Sequence, residues 1–180
     1  KYQYIAAVSD ELTKLIIEAF PEMKEKIRTL YDINNAQLIY KMANFSNPFK
    51  KIDNKFILVT AGRLVYQKGY DMAVEAAKLL RDKGIDFQWF FIGEGSERKN
   101  LEDMISKYAL TKNVILVGAT DNPYIYMNNA DIYVQTSRFE GYCLTLGEAR
   151  ILNTPVISTN FDVVYNQLVD GENGLIVDMK

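Results

Sequence analysis

FILVTAGRLVYQKGYDMAVEAAKLLRDKGIDFQWFFIG, residues 56–93, is the stretch that decides the fold. It opens on an apolar run, Phe56–Gly62, with none of the polar alternation of a half-solvated strand. Such a run suits a strand covered on both faces. A short loop carrying Arg63 and Lys68 follows, and then Tyr70, Ala73, Val74, Ala77 and Leu80 recur at helical spacing until near Gly84. Phe87–Gly93 is a second apolar run. Strand, helix and strand in this order predict two parallel strands joined by a crossover helix.

The same alternation extends toward the carboxyl end. Leu101, Met104, Ile105 and Tyr108 mark a helix, VILVG (114–118) a strand, YIYMNNA (124–130) a short helix and DIYVQTS (131–137) a strand. Thr145–Leu152 reads as a helix, PVIST (155–159) as a strand, and LVDGENGLIV (168–177) as a turn into a last strand. The expected fold is therefore α/β: a Rossmann-like, doubly wound parallel sheet. Toward the amino end, YIAAV (4–8) reads as a strand. Ser9 is an N-cap, with Asp10 and Glu11 in the first turn of a helix that runs to Pro21. IRTLY (27–31) is a short strand and Ala36–Ala43 a helix. The polar segment NFSNPFKKIDNK (44–55) breaks the pattern and is expected to link two units, residues 1–46 and 47–180. The chain begins at Lys1, inside what reads as a strand, and stops at Lys180 just after another; it is expected to be a piece of a longer protein.

Composition narrows the chemistry. The net charge of −2 with no basic stripe argues against a nucleic-acid partner. No apolar run approaches the roughly 20 residues of a membrane-spanning helix, and no secretory leader is visible. The single cysteine, Cys143, excludes an internal disulfide and fits a reducing compartment. It reads as a small loop residue, because the chain has no histidine to activate a thiol. Zinc sites and serine–histidine systems are largely excluded on the same ground. The twelve tyrosines are expected mostly at core-facing positions.

In a doubly wound sheet, ligands bind at the carboxyl ends of the strands, so the loops there hold the candidates. In AGRLVYQKGYD, Arg63 and Lys68 precede a helix start near Gly69. Two cations beside a helix N-terminus suit a phosphate or diphosphate; the plainer alternative is a pair of solvated charges. GEGSER (93–98) lacks the third glycine of a dinucleotide fingerprint and reads as a tight turn into a helix, with room to line a pocket. Gly118, in VGATDNPY, permits close approach of a planar ligand. The fourth loop, SRFEGYCLTLGEA (137–149), holds Glu140 and Glu148. Thr145 and Glu148 fit a capping box. Equally, Glu148 fits a carboxylate aimed into the cleft to accept both hydroxyls of a ribose, with Glu140 facing a second hydroxylated ring.

These segments, with TPVIST and LVDGENGLIV, resemble the carboxyl-terminal domain of family-4 retaining glycosyltransferases of GT-B architecture, over about Phe56–Asp178. Tyr4–Tyr31, with AAVSDEL, is similar to the end of that family's amino-terminal domain. The resemblance implies that Arg63 and Lys68 hold a donor diphosphate, that Glu148 binds the ribose, and that Glu140 contacts donor-sugar hydroxyls. Glu140, Arg63 and Lys68 would be the catalytic set. The backbone from Gly141 and Tyr142 through Cys143, Leu144 and Thr145 would lie against sugar and phosphate, with Gly118 and Ala119 beside the base. It further implies a metal-independent reaction without a cofactor, and a UDP-sugar or GDP-sugar donor. The acceptor would be a glycan or lipid-linked molecule, held by the amino-terminal domain. The expected setting is bacterial polysaccharide synthesis in the cytoplasm, peripherally at the inner membrane face. The chain departs from the family in lacking histidine, most of the amino-terminal domain and the closing helix. On its own it is expected to bind donor nucleotide weakly and not to transfer sugar. The alternatives are a non-catalytic GT-B-like partner subunit, binding a nucleotide-sugar or another protein, and a nucleotide-sugar epimerase, which would ordinarily need cleft histidines.

Overall fold

The computed structural model describes residues 3–49 and 55–179. Residues 50–54 of the expected linker, and Lys1, where a strand was expected to be already under way, lie outside the described residues. The elements in chain order are β1 (Ile5–Ala7), α1 (Asp10–Ala19), β2 (Ile27–Thr29), α2 (Ala36–Ala43), β3 (Phe56–Ala61), α3 (Tyr70–Asp82), β4 (Phe87–Ile92), α4 (Arg98–Lys107), β5 (Val114–Gly118), α5 (Tyr124–Asn128), β6 (Ile132–Gln135), α6 (Leu144–Ile151), β7 (Val156–Thr159) and β8 (Leu175–Val177).

The quoted β3–α3–β4 unit forms as expected, with its strands parallel in the register Phe56↔Phe87 through Ala61↔Ile92. It seeds a six-stranded, wholly parallel sheet in the order β5-β4-β3-β6-β7-β8. Successive strand residues face opposite sides, so one apolar run feeds two cores. Leu58, Phe87, Trp89, Phe91 and Val134 pack against α3 and α4 through Tyr70, Val74, Leu101 and Ile105. Val59, Ala61, Ile92 and Tyr133 pack on the other face, with Ile39 of α2, Met127 of α5 and Leu146 of α6. Buried Thr60 is satisfied: its hydroxyl donates to the Val134 carbonyl at 2.7 Å and accepts from the Trp89 indole at 3.0 Å.

β1 and β2 form a separate two-stranded parallel sheet beside α1. Ser9 caps α1 by accepting from the Leu12 amide at 3.2 Å. The tyrosine expectation is corrected. Tyr70 and Tyr133 are buried, whereas Tyr4, Tyr31, Tyr40, Tyr66 and Tyr165 are exposed. Tyr66, for one, has the Arg138 guanidinium over its ring at the surface, 4.1 Å from the centroid, and does not insert into a core.

Candidate functional site

β3 and β6 are neighbours, yet the helices that follow them, α3 and α6, pack on opposite faces. The chain's direction of winding reverses there, and the two following loops meet where sheets of this kind take their ligands. Residues 62–69 form one wall and residues 136–143 the other.

The first wall is buttressed by the GEGSER turn. The Leu64 amide donates to the Glu94 carbonyl and the Glu97 amide to the Leu64 carbonyl, both at 2.9 Å. Gly93 permits this contact, since a Cβ there would lie 1.9 Å from the Gly62 carbonyl oxygen. The motif therefore works as a support. The two walls are then clipped together. The Arg138 amide donates to the Gln67 carbonyl at 2.8 Å, and the Thr136 hydroxyl to the Lys68 carbonyl at 2.9 Å. The Arg138 guanidinium grips both Asp71 oxygens, at 2.8 and 2.6 Å, and lies over the Tyr66 ring. Hydrogen bonding from Arg138 holds the Asp71 carboxyl below its ordinary pKa.

Inside the clip, Lys68 Nζ lies 2.6 Å from Glu140 Oε1, with the two side chains only 14% and 6% exposed. The same oxygen accepts from the Ser137 hydroxyl and, at 3.4 Å, from Gln135 Nε2. Glu140 Oε2 has one partner among the described residues, Gln67 Nε2 at 3.3 Å. Gln135, fully buried, also donates to Ser137 Oγ at 2.6 Å and accepts from Tyr133 at 2.7 Å and Thr145 at 3.2 Å. Arg63 stands exposed at the start of the first wall, and among the described residues its side chain forms no ion pair.

Glu148 lies apart from that pair. It is half-buried on α6, and its Oε1 accepts from the Tyr124 hydroxyl at 3.1 Å, which joins α6 to the start of α5 just beyond Gly118 and Ala119. Burial pushes the Glu148 carboxyl up from its ordinary 4.5, with the Tyr124 bond acting in the opposite direction. Burial, then the Glu148 charge, raises Tyr124 to about 12.

The capping box does not form. α6 starts at Leu144 with Cys143 as its N-cap, in the left-handed region at φ 72°, and no side chain caps it. Thr145 instead turns its hydroxyl to Gln135. This leaves Glu148 directed at Tyr124. Cys143 is buried, and burial pushes its thiol up to about 12, in keeping with a structural residue. Gln167 Nε2 donates to the Tyr142 and Cys143 carbonyls, and Asn34 Nδ2 to the Leu144 carbonyl at 3.2 Å, so residues 142–144 are anchored from behind.

Sequence reasoning missed Gln67, Gln135, Ser137, Arg138 and Tyr124. Gln67 and Arg138 act through partners 67 or more residues away, Tyr124 through Glu148 further along the chain, and Gln135 from inside a strand; Ser137 reaches Glu140 only three residues on, but a serine at that spacing carries no signal of its own. Glu94, inside a noted motif, places a carboxylate oxygen 3.2 Å from where a Cβ on Gly118 would stand. A cavity of about 650 Å³ lies at the other end of the sheet, beside Pro155, Val156 and Leu175. Another, of about 410 Å³, lies behind Tyr142, lined by Asp32, Asn34 and Gln167. Neither includes Lys68 or Glu140.

Residues 42–180 match the protein-family model described as "Glycosyl transferases group 1". An uncharacterized glycosyltransferase, MJ1059 of Methanocaldococcus jannaschii, is 30% identical over 167 residues, covering 89% of this chain and 40% of that protein. A poly(ribitol-phosphate) alpha-N-acetylglucosaminyltransferase of Staphylococcus aureus is 29% identical over 151 residues, covering 82% and 30% respectively. Among solved structures, S. aureus TarM in complex with fondaparinux, alpha-GlcNAc-glycerol and UDP superposes with a TM-score of 0.83 at 24% identity, over 98% of this chain and 34% of that one. The chain thus spans less than half the length of these relatives.

Proposed function

The chain belongs to the group 1 glycosyltransferases, and from that premise we propose that residues 47–180 are the donor-binding unit of a retaining, family-4 glycosyltransferase, with residues 1–46 closing the preceding unit. The observation that carries this is the Lys68–Glu140 pair held across the β3/β6 reversal. A cation and a carboxylate sit together where a doubly wound sheet takes its ligand.

The donor is a nucleoside-diphosphate sugar, best matched by UDP. Lys68 and Arg63 take the diphosphate, Glu140 the sugar hydroxyls, Glu148 the ribose, and the Gly118–Ala119 backbone the base. Residues 141–145 line the sugar and phosphate. In the reaction, the bond from the anomeric carbon to the phosphate oxygen breaks and a bond to the acceptor oxygen forms on the same face. The acceptor proton passes to the departing phosphate oxygen. Negative charge grows on the diphosphate, and each fixed donor there lowers the barrier by ~3 kcal/mol. The diphosphate is held by these side chains without a metal. The alpha linkage named for the staphylococcal relative supports retention, and that relative's polymer substrate supports a glycan or other surface-polymer acceptor. The place proposed is the cytoplasm, at the membrane face. Among the described residues no helix is long and apolar enough to cross a membrane.

Calorimetric titration with UDP, GDP and ADP tests the assignment. UDP is expected to bind, and Arg63→Ala to weaken it by roughly tenfold, about 1.4 kcal/mol. If the wild-type chain bound none of the three at about millimolar concentration, the donor-site reading would be wrong.

A further inference from the structure

Lys68 is already ion-paired in the free protein. Its ammonium lies 2.6 Å from Glu140, and both side chains are largely out of water, where charges are weakly screened. Glu140 is also fixed in place. Its Oε1 is held by Ser137, which is fully buried, and by Gln135, which is 1% exposed. Among the described residues, its Oε2 is held by Gln67 alone. A diphosphate that reaches Lys68 therefore meets a rigid like charge. A sugar hydroxyl on that diphosphate would meet Oε2, the oxygen with capacity left to accept.

We propose, resting on the donor-site reading above, that Glu140 is a selectivity element that favours the sugar-bearing nucleotide over the bare nucleoside diphosphate. The carboxylate attracts the sugar through its hydroxyls and repels the group to which the sugar is attached. While the sugar is present, the hydroxyl bonds offset the repulsion. Once it has been transferred, the repulsion stands alone and the spent nucleotide leaves. The buried Gln135–Ser137 relay has a positioning part: it keeps the carboxylate from swinging away from the arriving phosphates.

The test is titration of the full chain with UDP and, separately, with UDP-N-acetylglucosamine and UDP-glucose. Glu140→Gln keeps the shape and an acceptor oxygen but removes the charge. UDP is expected to bind this variant roughly tenfold more tightly than wild type, as removal of a fixed charge a few ångströms away requires. The sugar nucleotides should gain less, so the ratio of the two dissociation constants moves toward the bare nucleotide. Glu140→Ala, a second variant in case the amide disturbs the fold, should shift UDP in the same direction. Ser137→Ala retains the charge but loosens the hold on the carboxylate, so it should tighten UDP in the same direction and by less, about threefold, as loss of one charge-assisted bond allows. A folded Glu140 variant that binds UDP no better than wild type overturns the proposal while the donor-site reading survives. A wild-type chain that binds neither UDP nor a UDP-sugar overturns both.

Discussion

Glu148 lowers the stability of the folded chain so long as it is ionised. Burial raises its folded pKa above the unfolded value near 4.5, so its stabilising contribution is complete below that value and is lost as pH rises through the folded pKa. Replacing it by glutamine removes the titration and keeps an acceptor for the Tyr124 hydroxyl. Glu148→Gln is therefore expected to match wild type in melting temperature near about pH 4.5 and to exceed it near about pH 7. A difference independent of pH would show that the buried carboxylate carries no such penalty. The same substitution should weaken UDP binding if this carboxylate reads the ribose, so stability and affinity would move in opposite directions, as is common at functional sites. Of the two acids, sequence offered the residue types but left Glu148 open between cap and cleft. The cap is removed by Thr145, whose hydroxyl goes to a buried glutamine ten residues earlier and not to its own helix end. Nothing in the spacing of Thr145 and Glu148 reveals that competitor.

At the scale of elements, the site depends on how closely three strand-end loops approach one another. Gly93→Ala would drive a Cβ to 1.9 Å from the Gly62 carbonyl oxygen in the buttress, and a cost of ~3 kcal/mol or more in urea unfolding is expected from backbone collision. Gly84→Ala, at φ 74° with no atom within 4 Å, meets only the left-handed backbone penalty of roughly 1–2 kcal/mol. Equal losses at the two glycines would contradict the packing described. The clip across the loops behaves differently. Arg138→Ala removes a bidentate bond to Asp71, which is partly solvated, so its cost should be only about 1 kcal/mol after screening. Asp71 is held below its ordinary pKa, and the stability it contributes is present above 3.8 and lost as pH falls through the folded value. The strands and helices that carry these loops were legible because apolar runs and the helical period are local signals. The clip was not, because Arg138 and Asp71 lie 67 residues apart and each reads alone as a surface charge.

At the scale of the molecule, the break in composition and the edge of the sheet domain's core fall at different residues. Composition places the break in the polar stretch after Ala43, yet α2, before that break, buries Ile39 and Ala43 in the same core as Leu146, Phe161 and Leu168. α1 behaves otherwise: it buries none of its residues, and its Leu15 is exposed. Ahead of α2, polar and stacking contacts reach the sheet domain: Asn166 Nδ2 donates to Glu11 Oε2 at 2.6 Å, and the Tyr31 ring lies 5.6 Å from that of Tyr142. A change of role and a change of packing therefore need not fall at the same residue. A chain of residues 33–180 keeps α2 and should unfold cooperatively in urea, close to the full-length midpoint. A chain of residues 47–180 strips Ile39 from its socket and should lose roughly 2–5 kcal/mol, the range for deleting a buried aliphatic side chain. If the shorter chain unfolded at the same midpoint as the longer, α2 would be a passenger on the core, and the boundary at residue 46 would be structural as well as functional.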